Sequence, residues 1–220
     1  MIRKFVPALA AAAAALAACS PADADNGAAG TAVVQDMPPI ARTGFDDLLH
    51  NPATPFLGAA NADVTIIGYV DYNCPYCKKM YVEIDEVLKA DPKLRVLYKD
   101  WAIFGAVSEN AARSALAAGY QGKYHAVHAA FMKHPSRVTD DEIRRLLQGA
   151  GVDLARLDQD LETHRAEIDD VLMLNMQEPM AMGLQCPPAF IINGYLIPGG
   201  MPRAQLEAII ARLRTGQPLR

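Results

Sequence analysis

Val64-Thr-Ile-Ile-Gly-Tyr-Val70 is an apolar run rich in β-branched residues. It leads through Asp71-Tyr-Asn73 into Cys74-Pro-Tyr-Cys77 and a periodic stretch ending at Leu88. Such a run predicts a strand buried on both faces. Beyond it, Cys77, Met80, Tyr81, Ile84, Val87 and Leu88 recur at three- and four-residue steps, the single apolar stripe of a helix that faces a sheet. Asn73 or Cys74 is placed to cap that helix, and Pro75 falls in its first turn, where a missing N–H costs nothing. Two cysteines three apart at such a start put the first sulfur beside unpaired backbone N–H groups and the positive end of the helix dipole, which favours its thiolate. Cys74 is then expected to be the exposed sulfur and Cys77 the inner one. An inert local disulfide or half of a zinc site competes with this reading. No second Cys or Cys/His pair stands at ligand spacing, so no metal site is expected. The pair reads as a redox-active disulfide that needs no separate cofactor.

The first residues bear on location. Arg3 and Lys4 precede a mostly apolar stretch from Phe5 to Ala18, which reads as a signal peptide over residues 1–18 and is too short and alanine-rich for a membrane span. Leu16-Ala-Ala-Cys19 resembles a bacterial lipobox, so Cys19 is expected to carry the lipid that holds the mature chain to a membrane. Ordinary cleavage after Ala17 is the competing outcome. Either route leads to an oxidising, extracytoplasmic space, the periplasm, where disulfides persist. Removing residues 1–18 takes two of the 21 basic groups and none of the 25 acidic ones, moving the formal net charge from −4 to −6. That leaves no basic field to recruit nucleic acid. Residues 19–42, poor in periodic apolar content, read as a flexible tether.

The rest, residues 43–220, reads as one domain. Phe45 to His50 is expected to form a short helix, and Asn51 to Gly58 reads as a turn-rich segment. Leu94 to Tyr98 predicts a second strand, parallel to the first. Ser108 is placed to cap a helix reaching about Gln121, Tyr124 to Lys133 predicts another, and Thr139-Asp-Asp-Glu142 has capping-box spacing. With the periodic leucines and methionines that follow, four or five helices are expected between about 106 and 183. Asn193-Gly194 between two apolar runs predicts a tight hairpin, and Leu206, Ile209, Ile210 and Leu213 a last helix. The class is α/β: strand, helix, strand, helical insertion, hairpin, helix.

Asp71-Tyr-Asn-Cys-Pro-Tyr-Cys-Lys78, Lys99-Asp-Trp-Ala-Ile-Phe-Gly105 and Gly183-Leu-Gln-Cys-Pro-Pro-Ala-Phe-Ile-Ile-Asn-Gly194 resemble the DsbA-like family of bacterial disulfide oxidoreductases. The chain is most similar to the branch of the suppressor-of-copper-sensitivity C proteins. The resemblance implies a thioredoxin fold with an inserted helical domain, catalysis by Cys74 and Cys77, and a cis-proline at Pro188 beside them. It also implies that Pro75 and Tyr76 tune the pair and that residue 187 meets the client. Pro187 departs from the family's usual threonine or valine and removes an N–H donor to a bound peptide. Gly68 departs from a usual buried glutamate. Tyr76, where strong oxidants carry histidine, implies a less oxidising pair. Asp71 reads as a strand-end surface residue, the alternative being that it helps deprotonate Cys77 in place of that glutamate, and Lys99 either as a family lysine near the inner cysteine or as a solvated charge.

The function expected is exchange of disulfides with cysteine-containing client proteins, as oxidase or isomerase. A membrane partner, a quinone-linked oxidase or a reductant, would have to reset the pair. A periplasmic copper-binding protein using Cys74, Cys77 and Cys186 is the alternative. Cys186 otherwise reads as a loop cysteine, Met173, Met176, Met180 and Met182 as core or a pliable apolar groove, and His125 and His128 as packing or surface residues.

Overall fold

The computed structural model describes residues 48–49, 54–217 and 219. The expected signal peptide, lipidation site Cys19 and tether lie outside them. Five strands form one sheet: β1 (Phe56–Gly58), β2 (Val64–Val70), β3 (Leu94–Asp100), β4 (Ala189–Ile192) and β5 (Tyr195–Pro198), in the order β1-β3-β2-β4-β5. Helix α1 (Pro75–Ala90) makes the crossover from β2 to β3, which pair in parallel from Val64↔Leu94 to Val70↔Asp100. Every residue of β2 is buried, as its unbroken apolar run requires of a central strand. Between β3 and β4 come α2 (Ala106–Gly119), α3 (Tyr124–Lys133), α4 (Asp140–Gly149), α5 (Leu154–Thr163) and α6 (Arg165–Ala181). The described chain closes with α7 (Arg203–Arg214).

Strand alternation divides the core between the two faces of the sheet. Ile66, Val70, Val96 and Tyr98 point to the face covered by α1, α7 and the helical insertion. Ile67, Tyr69, Leu97, Trp101 and Ile191 point the other way, where Leu48, Leu49, Met176 and Met182 pack on them. Within the insertion α2 is central, packing on α3, α4, α5 and α6. Its buried alanines, Ala111, Ala112, Ala115, Ala117 and Ala118, combine high helix propensity with side chains small enough for close approach.

Two local expectations need correction. The turn-rich segment contains β1, which pairs antiparallel with the edge of β3 at Phe56↔Leu97. Three residues, Phe56-Leu-Gly58, are too few to show a strand's alternation, and the existing edge of β3 supplies the order. Ser108 does not cap α2, whose N-cap is Gly105 at φ 97° with no side-chain cap bond. The capping box at Thr139 and Glu142 is present. So is the hairpin, with Asn193 at φ 45° and Gly194 at φ 88°, the positive values that its two-residue turn requires. Leu48 and Leu49 are helical, within the short helix expected there.

Candidate active site

The cysteine pair is built by the end of β2 and the start of α1. Cys74 is the N-cap of α1, its backbone extended at φ −87° and ψ 116°, and Pro75 follows in the first turn. The Cys74 Sγ accepts the Cys77 N–H at 3.3 Å, so the sulfur takes a hydrogen bond that would otherwise be missing at the helix start. The Cys77 Sγ lies beneath and accepts the Asp71 N–H at 3.5 Å. Cys74 is lowered from the ordinary thiol range, first by a hydrogen bond from the Cys77 thiol and then by the Cys77 and Tyr76 N–H groups. Burial holds Cys77 well above that range, reinforced by its bond to Cys74. One sulfur is therefore disposed to be a thiolate and the other to keep the proton.

The loop before β4 closes over this pair. Its Pro187–Pro188 peptide is cis. The Pro188 carbonyl accepts the Gly199 N–H at 2.9 Å, which ties the loop to the end of the hairpin. The Pro187 carbonyl lies 3.5 Å from the Cys74 Sγ and accepts its thiol proton. The expectation of an exposed Cys74 is thus corrected, since it is only 1 % exposed. The covering carbonyl comes from 113 residues away, beyond the reach of local pattern. Pro75 and Tyr76 are the exposed residues of the motif, Tyr76 at 43 % exposure. Its phenol brings no positive charge to the pair. Gly68 lies against the Phe190 ring, where an added Cβ would come within 3.3 Å of an aromatic carbon. The aromatic ring fills the space that a carboxylate at position 68 would need.

Asp71 is the residue whose expected placement needs most correction. It is buried, not at the surface, and its carboxylate takes four hydrogen bonds. Oδ1 accepts the Asn73 N–H at 2.7 Å and the Ser108 hydroxyl at 2.8 Å. Oδ2 accepts the Ile103 and Phe104 N–H groups at 2.8 and 3.1 Å. The residue expected to cap α2 instead binds this carboxylate. Burial raises the Asp71 carboxyl above its usual range while the four donors oppose that rise. Its charge also raises both thiols.

Lys99 is neither solvated nor beside the inner cysteine. Opposite Tyr69 in the β2–β3 register, it points to the other face of the sheet, fully buried, and pairs with Glu178 of α6 at 2.7 Å. The Tyr69 hydroxyl donates to the same carboxylate at 2.8 Å. On the cysteine side, His128 is a packing histidine as expected, buried among Tyr72, Tyr81, Tyr98 and Tyr124, with the Tyr72 hydroxyl 2.9 Å from its Nδ1. Burial pushes its imidazole down to about 3. Nearby, Asp100 accepts the Tyr124 hydroxyl at 3.1 Å, and burial pushes its carboxyl up to about 7. The four methionines form no common set. Met176 and Met182 pack on the second sheet face, whereas Met173 and Met180 are exposed. Among the described residues no group of three or more His, Cys, Asp or Glu side chains is placed to hold a metal ion.

A family profile described as Thioredoxin matches residues 50–212. The chain belongs to the thioredoxin family. Its solved relatives include a thioredoxin-like oxidoreductase from Silicibacter pomeroyi DSS-3, 35% identical, with a TM-score of 0.73 over 77% of this chain and 97% of that one. A periplasmic thioredoxin-like protein from Salmonella enterica serovar Typhimurium is 31% identical, with a TM-score of 0.69 over 76% and 94% of the two chains. At 24% identity the catalytic domain of Proteus mirabilis ScsC shares the fold, with a TM-score of 0.68 over 77% and 94%. The α/β thioredoxin fold with a helical insertion, expected from the motifs, is therefore the fold of this thioredoxin-family chain. Curated relatives include the Na(+)/H(+) antiporter NhaA 1 of Mycolicibacterium gilvum (strain PYR-GCK), 26% identical over 140 residues, which are 62% of this chain and 23% of the antiporter. The chain spans about a quarter of the length of the curated relatives it matches.

Proposed function

We propose that this protein is an extracytoplasmic thiol–disulfide oxidoreductase that exchanges disulfides with client proteins through Cys74 and Cys77. The observation that carries the reading is the asymmetry of the pair. A thiol held low caps a helix under the Pro187 carbonyl, and a thiol held high lies beneath it. The description of the Silicibacter pomeroyi relative as an oxidoreductase supports the reaction class, and that of the Salmonella relative as periplasmic supports the location. No helix among the described residues is long and apolar enough to cross a membrane. Attachment to the membrane is assigned to a lipid on Cys19.

In the oxidising direction a client thiolate attacks the Cys74 sulfur of the Cys74–Cys77 disulfide. A client–Cys74 bond forms, the Cys74–Cys77 bond breaks, and its electron pair leaves on Cys77, where the Asp71 N–H receives the charge before a proton arrives. A second client thiolate then attacks the client sulfur of the mixed disulfide and releases Cys74 as the thiolate. The client has lost two electrons and the pair has gained them, so a membrane oxidase must remove them before the next cycle. In the isomerising direction reduced Cys74 attacks a wrong client disulfide, Cys77 is the escape route, and the partner is a reductant. Pro187 has no N–H, so the loop offers a client strand only its carbonyl.

Trapping tests this. Reduced Cys77→Ser should accumulate mixed disulfides between Cys74 and an unfolded client that carries a disulfide, because Cys74 attacks that bond and no second cysteine resolves the product, visible by mass spectrometry, and Cys74→Ser should form none. Exchange by Cys74→Ser at the wild-type rate would refute the assignment.

A further inference from the structure

A cavity of about 360 Å³ opens beside the cysteine pair, on the side of the helical insertion. Asn73 and Pro75, the neighbours of Cys74, form one wall together with Lys78. Lys133, His134 and Arg137, from the end of α3 and the connection to α4, form the other. The walls are joined through Asn73, whose Oδ1 accepts the Val138 N–H at 2.7 Å and whose Nδ2 donates to the Val138 carbonyl at 3.4 Å. The position is therefore fixed relative to the reacting sulfur. Its size is within the roughly 300–1,000 Å³ of sites that enclose a ligand group.

The charge of the cavity is unlike that of the chain. The protein has a formal net charge of −4, yet no lining residue is acidic and four are basic or imidazole. Among the described residues no carboxylate pairs with Lys78, Lys133 or Arg137. The Lys78 ammonium donates to the Phe131 carbonyl at 2.5 Å, and Lys133 and Arg137 lie over the Tyr81 and Phe104 rings at 5.8 and 5.6 Å. Glu142, which contacts the lining residue His134 at 3.3 Å, is also engaged by its capping box with Thr139 and by Arg145 at 3.8 Å. Asp71 is saturated by its four donors. Three cationic side chains thus line a cavity next to the neighbours of Cys74, none of them in an ion pair, with Asp71 and Glu142 acting on Lys78 only without direct contact.

We propose that this cavity is a client subsite that receives an acidic side chain close to the client's reacting cysteine. The proposal rests on the client-exchange reading above. The occupant is an extended polypeptide segment, because its cysteine must reach Cys74 while a neighbouring residue, one or two positions along, enters the space flanked by Asn73 and Pro75. Each exposed ion pair contributes little alone. Three in one cleft give about a tenfold preference for an acidic over a neutral neighbour, a disadvantage for a basic one, and strong salt dependence.

The test uses the disulfide form of the full chain and three peptides, identical except for Glu, Gln or Lys at the positions flanking a single cysteine. Rates of mixed-disulfide formation are read by acid quench and chromatography. The expected order is Glu, Gln, Lys, with about tenfold between the first two at low salt, collapsing at about 1 M salt, where the Debye length is about 3 Å. Lys133→Glu combined with Arg137→Glu should invert the order, a result that partial unfolding cannot imitate because it would slow all three peptides alike. Equal rates for the three peptides, with exchange intact, would overturn the subsite and leave the exchange reading standing. Failure of the Gln peptide to exchange at all would remove both. A charge effect seen with reduced glutathione and not with the peptides would assign the cavity to a small anionic thiol and overturn the client proposal.

Discussion

Asp71→Asn is the sharpest probe of how the site is held. Each Asp71 oxygen accepts two donors, and the Oδ2 partners are the backbone N–H groups of Ile103 and Phe104 at 2.8 and 3.1 Å. An asparagine keeps one accepting oxygen, so two of the four donors must face an NH₂ group instead. Hydrogen bonds to a charged acceptor contribute about 1.5–3 kcal/mol each, so losing two costs roughly 3–6 kcal/mol, offset in part by no longer burying a charge. A net loss of about 2–4 kcal/mol follows, or a fall in Tm of roughly 5–15 °C for a domain of this size. Ser108→Ala, which removes one hydroxyl donor to the same carboxylate, should cost less, about 1.5–3 kcal/mol. Urea unfolding followed through Trp101, the one tryptophan of the chain, reads both. The same variant should lower the apparent pKa of Cys74, because a negative charge that raises it has been removed. An Asp71→Asn protein within about 0.5 kcal/mol of wild type, the usual range for an inconsequential surface change, with an unaltered thiol profile, would refute the argument that this carboxylate anchors the site.

Other consequences follow from the buried charges. The folded chain keeps a proton on Asp100, at about 7, that the unfolded chain releases above about 3.9, and refuses one on His128, at about 3, that the unfolded chain takes up below about 6.5. Between about pH 4 and 6.5 the two slopes oppose each other. Relative to wild type, Asp100→Asn should lose stability as pH falls through that window, by up to about 1.4 kcal/mol per pH unit, and His128→Phe should lose it as pH rises. Unfolding free energies that stay parallel to wild type across the window would contradict both. On the opposite face, Glu178→Gln strands the fully buried Lys99 ammonium and should cost about 3–5 kcal/mol. Lys99→Met leaves a half-buried carboxylate that Tyr69 still bonds, and should cost less; the reverse order in denaturant melts would contradict the assignment.

Much of this architecture was legible because its signals are local. The run Val64–Val70, the stripe from Cys77 to Val87, the capping box and Asn193-Gly194 each specify their own geometry within a few residues. What escaped depends on contacts between distant segments. Asp71 has the sequence neighbourhood of a surface turn, and only the return of Ile103, Phe104 and Ser108 to the end of β2 buries it. Lys99 lies on the second sheet face because of strand register, and its partner arrives 79 residues later. Cys74 is covered by a carbonyl from the other side of the insertion. The polar groups that matter most around the pair are those whose partners the linear pattern cannot supply.

The measurement that bears most directly on the central claim is the pH dependence of alkylation of each cysteine in the reduced protein, resolved by mass spectrometry. Cys74 should react with a midpoint below the value of about 8.5 of a free cysteine, with Cys77 silent until far higher pH. A midpoint at or above that value for Cys74, or reaction of Cys77 first, would contradict it.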